Sequence, residues 1–547
     1  MSEINSKGIN EFYHWIRVLP ACRQAGSGDQ YFVLNLFMLT KIWSAANYGL
    51  KAVEIEVEVN VAEKGFPSFN IVGLQSKSGE EAKERVKTAI VNSDFEFPNA
   101  KITINLAPAD LPKDGSFFDL PLALGILSSA GAVNKIEEKS YFFGEVSLDG
   151  SLRHTRGVFL LAILAKENGI KNIYVPRECA NEAAVIEGIK VFPVANITEV
   201  VRHLNGQKEI IPLKTIIESE LEYCGPEFDF AEVLGQEFAK RAMEIAAAGG
   251  HNLFMVGPPG SGKTMLSRAV PGILPPLSEA ESLEVTKIYS ITGNIPAGGS
   301  LIRQRPFRSP HHSTSLVGLI GGGSNPRPGE ISMAHRGVLF LDEFPEFTRG
   351  ALESLRQPLE DGFVTVSRAA GSVQFPAQFM LIAASNPCPC GYLGDEKKEC
   401  KCSLHQIMNY QRKLSGPVMD RIDLHLTVPS VDVNKLMIDK DKYVGEKSVA
   451  IRKRVIAARR IQQERFKGLK NIHSNSDMKN KHLKEYAQFS DPANLLLKQA
   501  VNKFSLSART YFRLIKVART IADLDKKEVI TDAHIAEALQ FRIKTDL

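Results

Sequence analysis

Residues 257–264 read Gly257, Pro258, Pro259, Gly260, Ser261, Gly262, Lys263 and Thr264, between an apolar run and a stretch with helical spacing. Glycines at these intervals let the backbone curl until several N–H groups face one point, and a following helix adds its positive N-terminal end. Phosphate fits there. Lys263 would neutralise the β- and γ-oxygens of ATP, and the Thr264 hydroxyl would ligate Mg²⁺. The bland alternative, a glycine-rich turn with no ligand, does not account for the strand before it and the helix after it.

A second run, residues 337–343, is an apolar strand that ends in Asp342 and Glu343. Alone, such an ending is common and usually solvated. About 80 residues after a phosphate loop, it reads as the hydrolytic half of the site, with Asp342 on the Mg²⁺ shell and Glu343 polarising the attacking water. A third group is cysteine. Cys388 and Cys390, then Cys400 and Cys402, bracket a nine-residue loop and offer four soft ligands for a tetrahedral Zn²⁺ ion. Four thiolates leave no open position for water, so the expected role is structural; because the pairs are CxC rather than CxxC, free thiols stay open as the alternative.

These groups need a scaffold, and 547 residues are too many for one hydrophobic core; three or four compact units are expected. With 44% apolar and 24% charged residues the composition is that of a globular protein, and the net charge of +5 permits nucleic-acid contact without requiring it. The apolar run at 31–39 is broken by Asn35 and falls well short of the roughly 20 residues that span a bilayer. No membrane association is expected. Nor does the chain open with a secretory signal pattern. Seven cysteines, four of them crowded together, do not form an extracellular disulfide framework, which points to the cytoplasm.

Residues 1–45 read as an extension, with 1–37 preceding a second methionine, Met38. Period-2 alternation over 51–61 predicts a strand, helical spacing over 79–91 a helix, and a strand at 101–106, an apolar helix at 120–130 and a strand at 173–175 continue an α/β domain over 46–212. Residues 213–230 read as a linker. From 231 to 430 apolar strands, among them 252–256, 338–341 and 379–384, alternate with helices, the pattern of a parallel sheet. Residues 431–547 turn helical and basic, with helices around 509–524 and 532–542.

Six blocks occur in one order: HNLFMVGPPGSGKT, RSPHHSTSLVGLIGGG, PGEISMAHRGVLFLDEFPEF, SNPCPCGY, SGPVMDRIDL and KVARTIADL. Together they resemble the ComM/YifB family of magnesium-chelatase-like AAA+ proteins, over nearly the whole chain from about Met38. The resemblance implies an α/β fold with an AAA+ phosphate-loop parallel sheet and a helical C-terminal lid. It also implies a sensor 1 residue at Asn386, an arginine finger at Arg421 presented to ATP in a neighbouring subunit, and a sensor 2 arginine at Arg509. By residue type alone either arginine would be read as a surface ion pair. A finger acting in trans implies a ring, expected to be a homo-hexamer.

Residues 303–327, with Arg305, Arg308, His311 and His312, resemble the insert within helix 2 of this branch, and 363–378, with Arg368, resembles the hairpin before sensor 1. In related DNA motors both point into the central channel, so Arg305, Arg308 and Arg368 are expected to meet DNA phosphates; the alternative is a protein contact or a solvated loop.

Residues 46–212 resemble the Lon protease domain, a ribosomal S5-like α/β fold, at LPKDG (111–115) and GEVSLDG (144–150). Proteolysis there needs a serine two places after the glycine and a lysine to activate it. Phe117 holds the serine's position, Ser116 is one place early, and 157–163 contains no lysine. A non-proteolytic domain is therefore expected. The function that the resemblance implies is a branch-migration helicase or translocase in natural transformation or recombination. The alternative is a chelatase-like motor that remodels a protein partner.

Overall fold

The computed structural model describes residues 39–62, 65–74, 76–109, 113, 116–134, 136, 139–214, 227–295, 301–323, 326–368, 371–395, 397–414, 416–430, 445–469 and 472–542. Residues 1–37 and most of the 213–230 linker lie outside the described residues.

Alternation in β2 (Lys51–Ala62) buries Ile55, Val57 and Val59 on one face. This strand pairs antiparallel with β1 (Thr40–Tyr48), which begins inside the stretch the sequence assigned to the extension. The inward residues of β1 include Ser44, Ala45 and Ala46, too small to write a hydrophobic alternation into the sequence. With β3 (Ser68–Val72), β4 (Lys101–Ala107), β5 (Ser140–Phe142), β6 (Asn172–Pro176) and β7 (Lys190–Val194), they form a seven-stranded sheet ordered β3-β4-β2-β1-β5-β6-β7. Helices α1 (Ser76–Asn92) and α2 (Asp119–Ser129) bury their apolar side chains against one face, in a cluster that includes Ala46. Helix α3 (Val158–Glu167) packs in a second cluster that takes in the neighbouring Ala45. Adjacent strand residues point to opposite faces, so the sheet is covered on both sides.

The second domain is built on five parallel strands: β8 (Leu253–Val256), β9 (Phe307–Arg308), β10 (Val338–Leu341), β13 (Met380–Ser385) and β14 (Leu424–Thr427), ordered β9-β10-β13-β8-β14. A hairpin of β11 (Phe363–Arg368) and β12 (Gly371–Pro376) lies between β10 and β13 in sequence. Every residue of β10 and of β13 is buried, as expected for strands covered on both faces by helices. Helices α4 (Glu237–Gly249), α5 (Lys263–Ala269) and α6 (Glu279–Thr292) belong to this domain. Because the strands are parallel, the carboxyl ends of β8, β10 and β13 open on one edge, where ligands bind in open α/β sheets. β9 lies inside 303–327, so the first part of the expected helix 2 insert is a strand of the central sheet. At two residues it was too short to be read from periodicity.

Helix α7 (Leu404–Arg412) follows the cysteine cluster. The C-terminal region packs α8 (Ser448–Arg465), α9 (Asp491–Phe504), α10 (Ala508–Leu524) and α11 (Asp532–Gln540) around the same core. His251, fully buried just before β8, bridges the domains: its Nδ1 lies 3.0 Å from Asp423 and its Nε2 2.8 Å from Thr520 of α10. The N-terminal domain docks on the core through α6, where Gly157 N–H donates to the Ser290 carbonyl (3.0 Å) and the Ser290 hydroxyl to Glu182 (2.9 Å). Among the described residues no helix is long and apolar enough to cross a membrane.

Candidate nucleotide site and cysteine cluster

β8 delivers the phosphate loop to the open edge of the sheet. Gly257 N–H donates to the Ser385 carbonyl at the end of β13 (3.1 Å), and a Cβ at Gly257 would stand 2.2 Å from the Val428 carbonyl oxygen. No other residue fits. Gly262 opens α5 at φ 86°, a left-handed conformation that glycine adopts without strain. Lys263 is held inside the loop, with Nζ donating to the carbonyls of Gly257 (2.7 Å) and Pro258 (2.9 Å) and lying 3.4 Å from both Ser261 Oγ and Asn386 Oδ1. Burial lowers its pKa, partly opposed by the Asp342 carboxylate.

The Thr264 hydroxyl donates to Asp342 Oδ2 at 2.8 Å, so the two side chains suited to Mg²⁺ already face each other. Glu343 follows in the left-handed region at φ 50°, its N–H bonded to Asp342 Oδ1 (2.9 Å). Such a conformation costs a non-glycine residue about 1–3 kcal/mol and is kept where the surroundings impose it. The cradle of the loop and the Thr264–Asp342 pair together fit a nucleotide triphosphate with its divalent cation. Pro259, Gly260 and Ser261 complete the turn, and Gln236 ties it to the loop after β14 through the Ser261 and Pro429 carbonyls. A cavity of about 920 Å³ flanks it, with Gly235, Asn386, Tyr410 and His425 among its walls.

The structure adds a residue to this group. His312 Nδ1 lies 3.0 Å from a Glu343 carboxylate oxygen, with its ring edge-on to Phe347. The loop after β9 carries it there, because β9 runs beside β10 and both chains leave the sheet at the same edge. The sequence showed a histidine in a basic insert; nothing local in it pointed to Glu343.

Arg421 and Arg509 lie elsewhere. Arg421 donates to the Pro417 carbonyl and pairs with Glu360, whose carboxylate it holds below the usual range. Arg509 pairs with Asp420 at 3.0 Å and is 54% exposed. Both guanidinium groups are engaged by carboxylates outside the phosphate loop.

Of the three arginines expected at DNA, Arg305 is corrected. Its guanidinium is 15% exposed and donates to the carbonyls of Pro275 and Arg336 and to Glu281, so it braces the fold beneath β9. Arg308 pairs through two nitrogens with Glu330 (2.7 Å each) and remains one-third exposed. Arg368 stands opposite Gly371 at the closed end of the β11–β12 hairpin. Behind this hairpin, a Cβ at Gly49 in the β1–β2 turn would meet Val373 at 2.6 Å, so the N-terminal domain buttresses it.

In the N-terminal domain, Phe117 stacks on Phe143 with centroids 5.0 Å apart, and the Ser116 hydroxyl donates to Glu145. Lys113 is buried and donates to the Pro108 carbonyl. Asp114 and Gly115 lie outside the described residues.

The sulfur atoms of Cys388, Cys390, Cys400 and Cys402 all lie within 4.8 Å of one another, a set that could hold a metal ion. None of the four is in a disulfide bond.

Three family models match in succession: magnesium chelatase, subunit ChlI, over residues 229–436; subunit ChlI of Mg-chelatase over 57–179; and the magnesium chelatase subunit ChlI C-terminal region over 445–542. The chain is 43% identical over 509 residues to the competence protein ComM of Haemophilus influenzae, covering 92% of this chain and 97% of that one. It is 40% identical over 507 residues to the protein YifB of Escherichia coli, with the same coverage. A shorter match, 27% identical over 183 residues, is to the magnesium-chelatase 38 kDa subunit of Rhodobacter capsulatus, covering 30% of this chain and 51% of that one. With the phosphate loop, the acidic strand end and the strand order in place, the chain belongs to the ComM/YifB family of magnesium-chelatase-like AAA+ proteins.

Proposed function

We propose that this chain is an ATP-hydrolysing ring motor that acts on DNA as a branch-migration helicase or translocase in natural transformation or recombination. The observation that carries the ATPase reading is the convergence of Lys263, Thr264, Asp342, Glu343 and Asn386 on one sheet edge, where hydrogen bonds join Lys263 to Asn386 across 123 positions of sequence and Thr264 to Asp342 across 78. Lys263 leaves its carbonyl partners for the β- and γ-phosphates. Thr264 and Asp342 hold Mg²⁺, which when bound draws charge from the phosphate oxygens. Glu343 accepts a hydrogen bond from the attacking water and polarises it, and Asn386 orients it; phosphoryl transfer needs little more than this positioning and charge neutralisation.

Arg421 completes the site from a neighbouring subunit and Arg509 from the lid, which makes a ring, a hexamer in our reading, the active form. The chain works in the cytoplasm, off the membrane. The four thiolates hold a structural zinc ion.

The DNA reading rests on likeness to a competence protein and on Arg308 and Arg368 as the phosphate contacts. ATPase rate is to be measured with and without single-stranded and branched DNA across a salt series, beside an Arg308→Ala/Arg368→Ala variant. Stimulation that fades with salt and in the variant is expected. Absence of both stimulation and binding at low salt would instead favour a chelatase-like motor that remodels a protein.

A further inference from the structure

Cys388 Sγ lies 3.4 Å from Cys390 Sγ and 3.6 Å from Cys400 Sγ, and Cys390 Sγ lies 3.6 Å from Cys400 Sγ. The Cys390 backbone N–H points at Cys402 Sγ at 3.4 Å. Four sulfurs at about 2.3 Å from one tetrahedral zinc ion are separated by roughly 3.8 Å, close to this spacing.

The loop between the pairs has little else to fold it. From Tyr392 to Lys401 none of the described residues is buried, and Asp395, Lys397, Lys398 and Glu399 make it strongly charged. A short segment without an apolar core needs a cross-link to hold one shape.

What the cluster touches gives it a task. Cys388 is fully buried two residues after Asn386, and Gly391 N–H closes the turn onto the Cys388 carbonyl (2.9 Å). Gly391, at φ 85°, sits so tightly against the phosphate loop that a Cβ there would stand 2.6 Å from Pro259 Cδ and 3.7 Å from the Asn386 side chain. The second cysteine pair runs directly into α7, whose Ser403 accepts from Gln406 N–H as cap, and whose Tyr410 lines the same cavity as Ser385 and Asn386. Both arms of the loop therefore end on the nucleotide site.

We infer that a zinc ion held by Cys388, Cys390, Cys400 and Cys402 braces the nucleotide site, pressing the 388–391 turn against Pro259 and holding Asn386 in register with Lys263. This rests on the assignment of zinc to the cluster and of nucleotide to the loop. The ion takes no part in hydrolysis. Its loss frees the turn, and with it Asn386 and the outer wall of the phosphate loop.

The test uses the full chain purified without chelator. Zinc per chain is measured by elemental analysis. Cobalt substitution should give the intense thiolate-to-metal absorption and visible bands of a tetrahedral four-sulfur site. Binding of a fluorescent ATP analogue and ATP turnover are then compared in wild type, a Cys400→Ser/Cys402→Ser variant and wild type stripped of metal and reloaded with zinc. One zinc per chain is expected, lost in the variant, with turnover down at least tenfold there and restored on reloading the stripped protein. Gly391→Ala, with all four cysteines intact, should keep its zinc yet bind the analogue more weakly. Wild type without zinc would overturn the metal assignment. Zinc lost with analogue affinity and turnover unchanged in a folded stripped protein would overturn the brace and leave the metal site standing. Failure of wild type itself to bind the analogue would instead overturn the nucleotide reading.

Discussion

His312 and Glu343, 31 positions apart in sequence, meet through an imidazole nitrogen and a carboxylate oxygen 3.0 Å apart. The partner of His312 is the acid assigned to the hydrolytic water, held in a left-handed backbone conformation at φ 50°. Two adjacent parallel strands bring the residues together, and the contact restricts where the carboxylate points.

Removing this restraint should slow hydrolysis without weakening nucleotide binding. For His312→Ala a fall in turnover of roughly 10- to 100-fold is expected, the scale of a misplacement of about 1 Å at a reacting group. Steady-state ATPase measured beside binding of a fluorescent ATP analogue checks this; wild-type turnover would remove His312 from the positioning of Glu343.

Glu343→Gln keeps the shape of the side chain and removes its negative charge. Turnover should fall about 10²- to 10⁴-fold, the usual contribution of a positioned acid–base group, while analogue binding persists and assembled rings accumulate. Sedimentation of the variant with ATP, together with single-turnover hydrolysis, reads both effects. Unchanged turnover would overturn the role given to Glu343.

Arg421 faces Glu360 rather than its own phosphate loop. If its role is played in a neighbouring subunit, Arg421→Ala and Lys263→Ala are each inactive alone, yet their mixture recovers activity wherever an intact loop meets an intact finger. ATPase titrated across mixing ratios should show a maximum at intermediate composition. A flat baseline at every ratio, in rings shown to exchange subunits, would place Arg421 outside the site.

Acid lability has a specific contributor in His425. Burial, with the positive charge of Arg513 nearby, holds its pKa down to about 4, against 6.5 in an unstructured chain. Between these values the unfolded chain binds a proton that the folded chain refuses. Its contribution is therefore complete above pH 6.5 and declines as pH falls toward 4, by up to about 3 kcal/mol. Thermal melting temperature followed against pH should fall less steeply over this window in His425→Asn than in wild type. Parallel curves would show that His425 does not set the slope.

The candidate chemistry and much of the frame were legible in local sequence pattern. The phosphate loop, the Asp342–Glu343 strand end and the cysteine pairs are contiguous patterns whose geometry follows from local backbone preference. The near-continuous apolar runs of β10 and β13 likewise fit buried strands, because a parallel strand covered on both faces has no polar face to alternate. Other features were invisible there. β1 is lined by small residues and β9 is two residues long, so neither has enough alternation to read. Only the tertiary structure decided that Arg305 is held inside the fold while Arg308 stays partly exposed, since burial depends on which distant strands pair. The same holds for the meetings of His312 with Glu343 and of Gly391 with Pro259. Each joins segments that approach only after the parallel sheet has formed, and residue type carries no record of what lies across it.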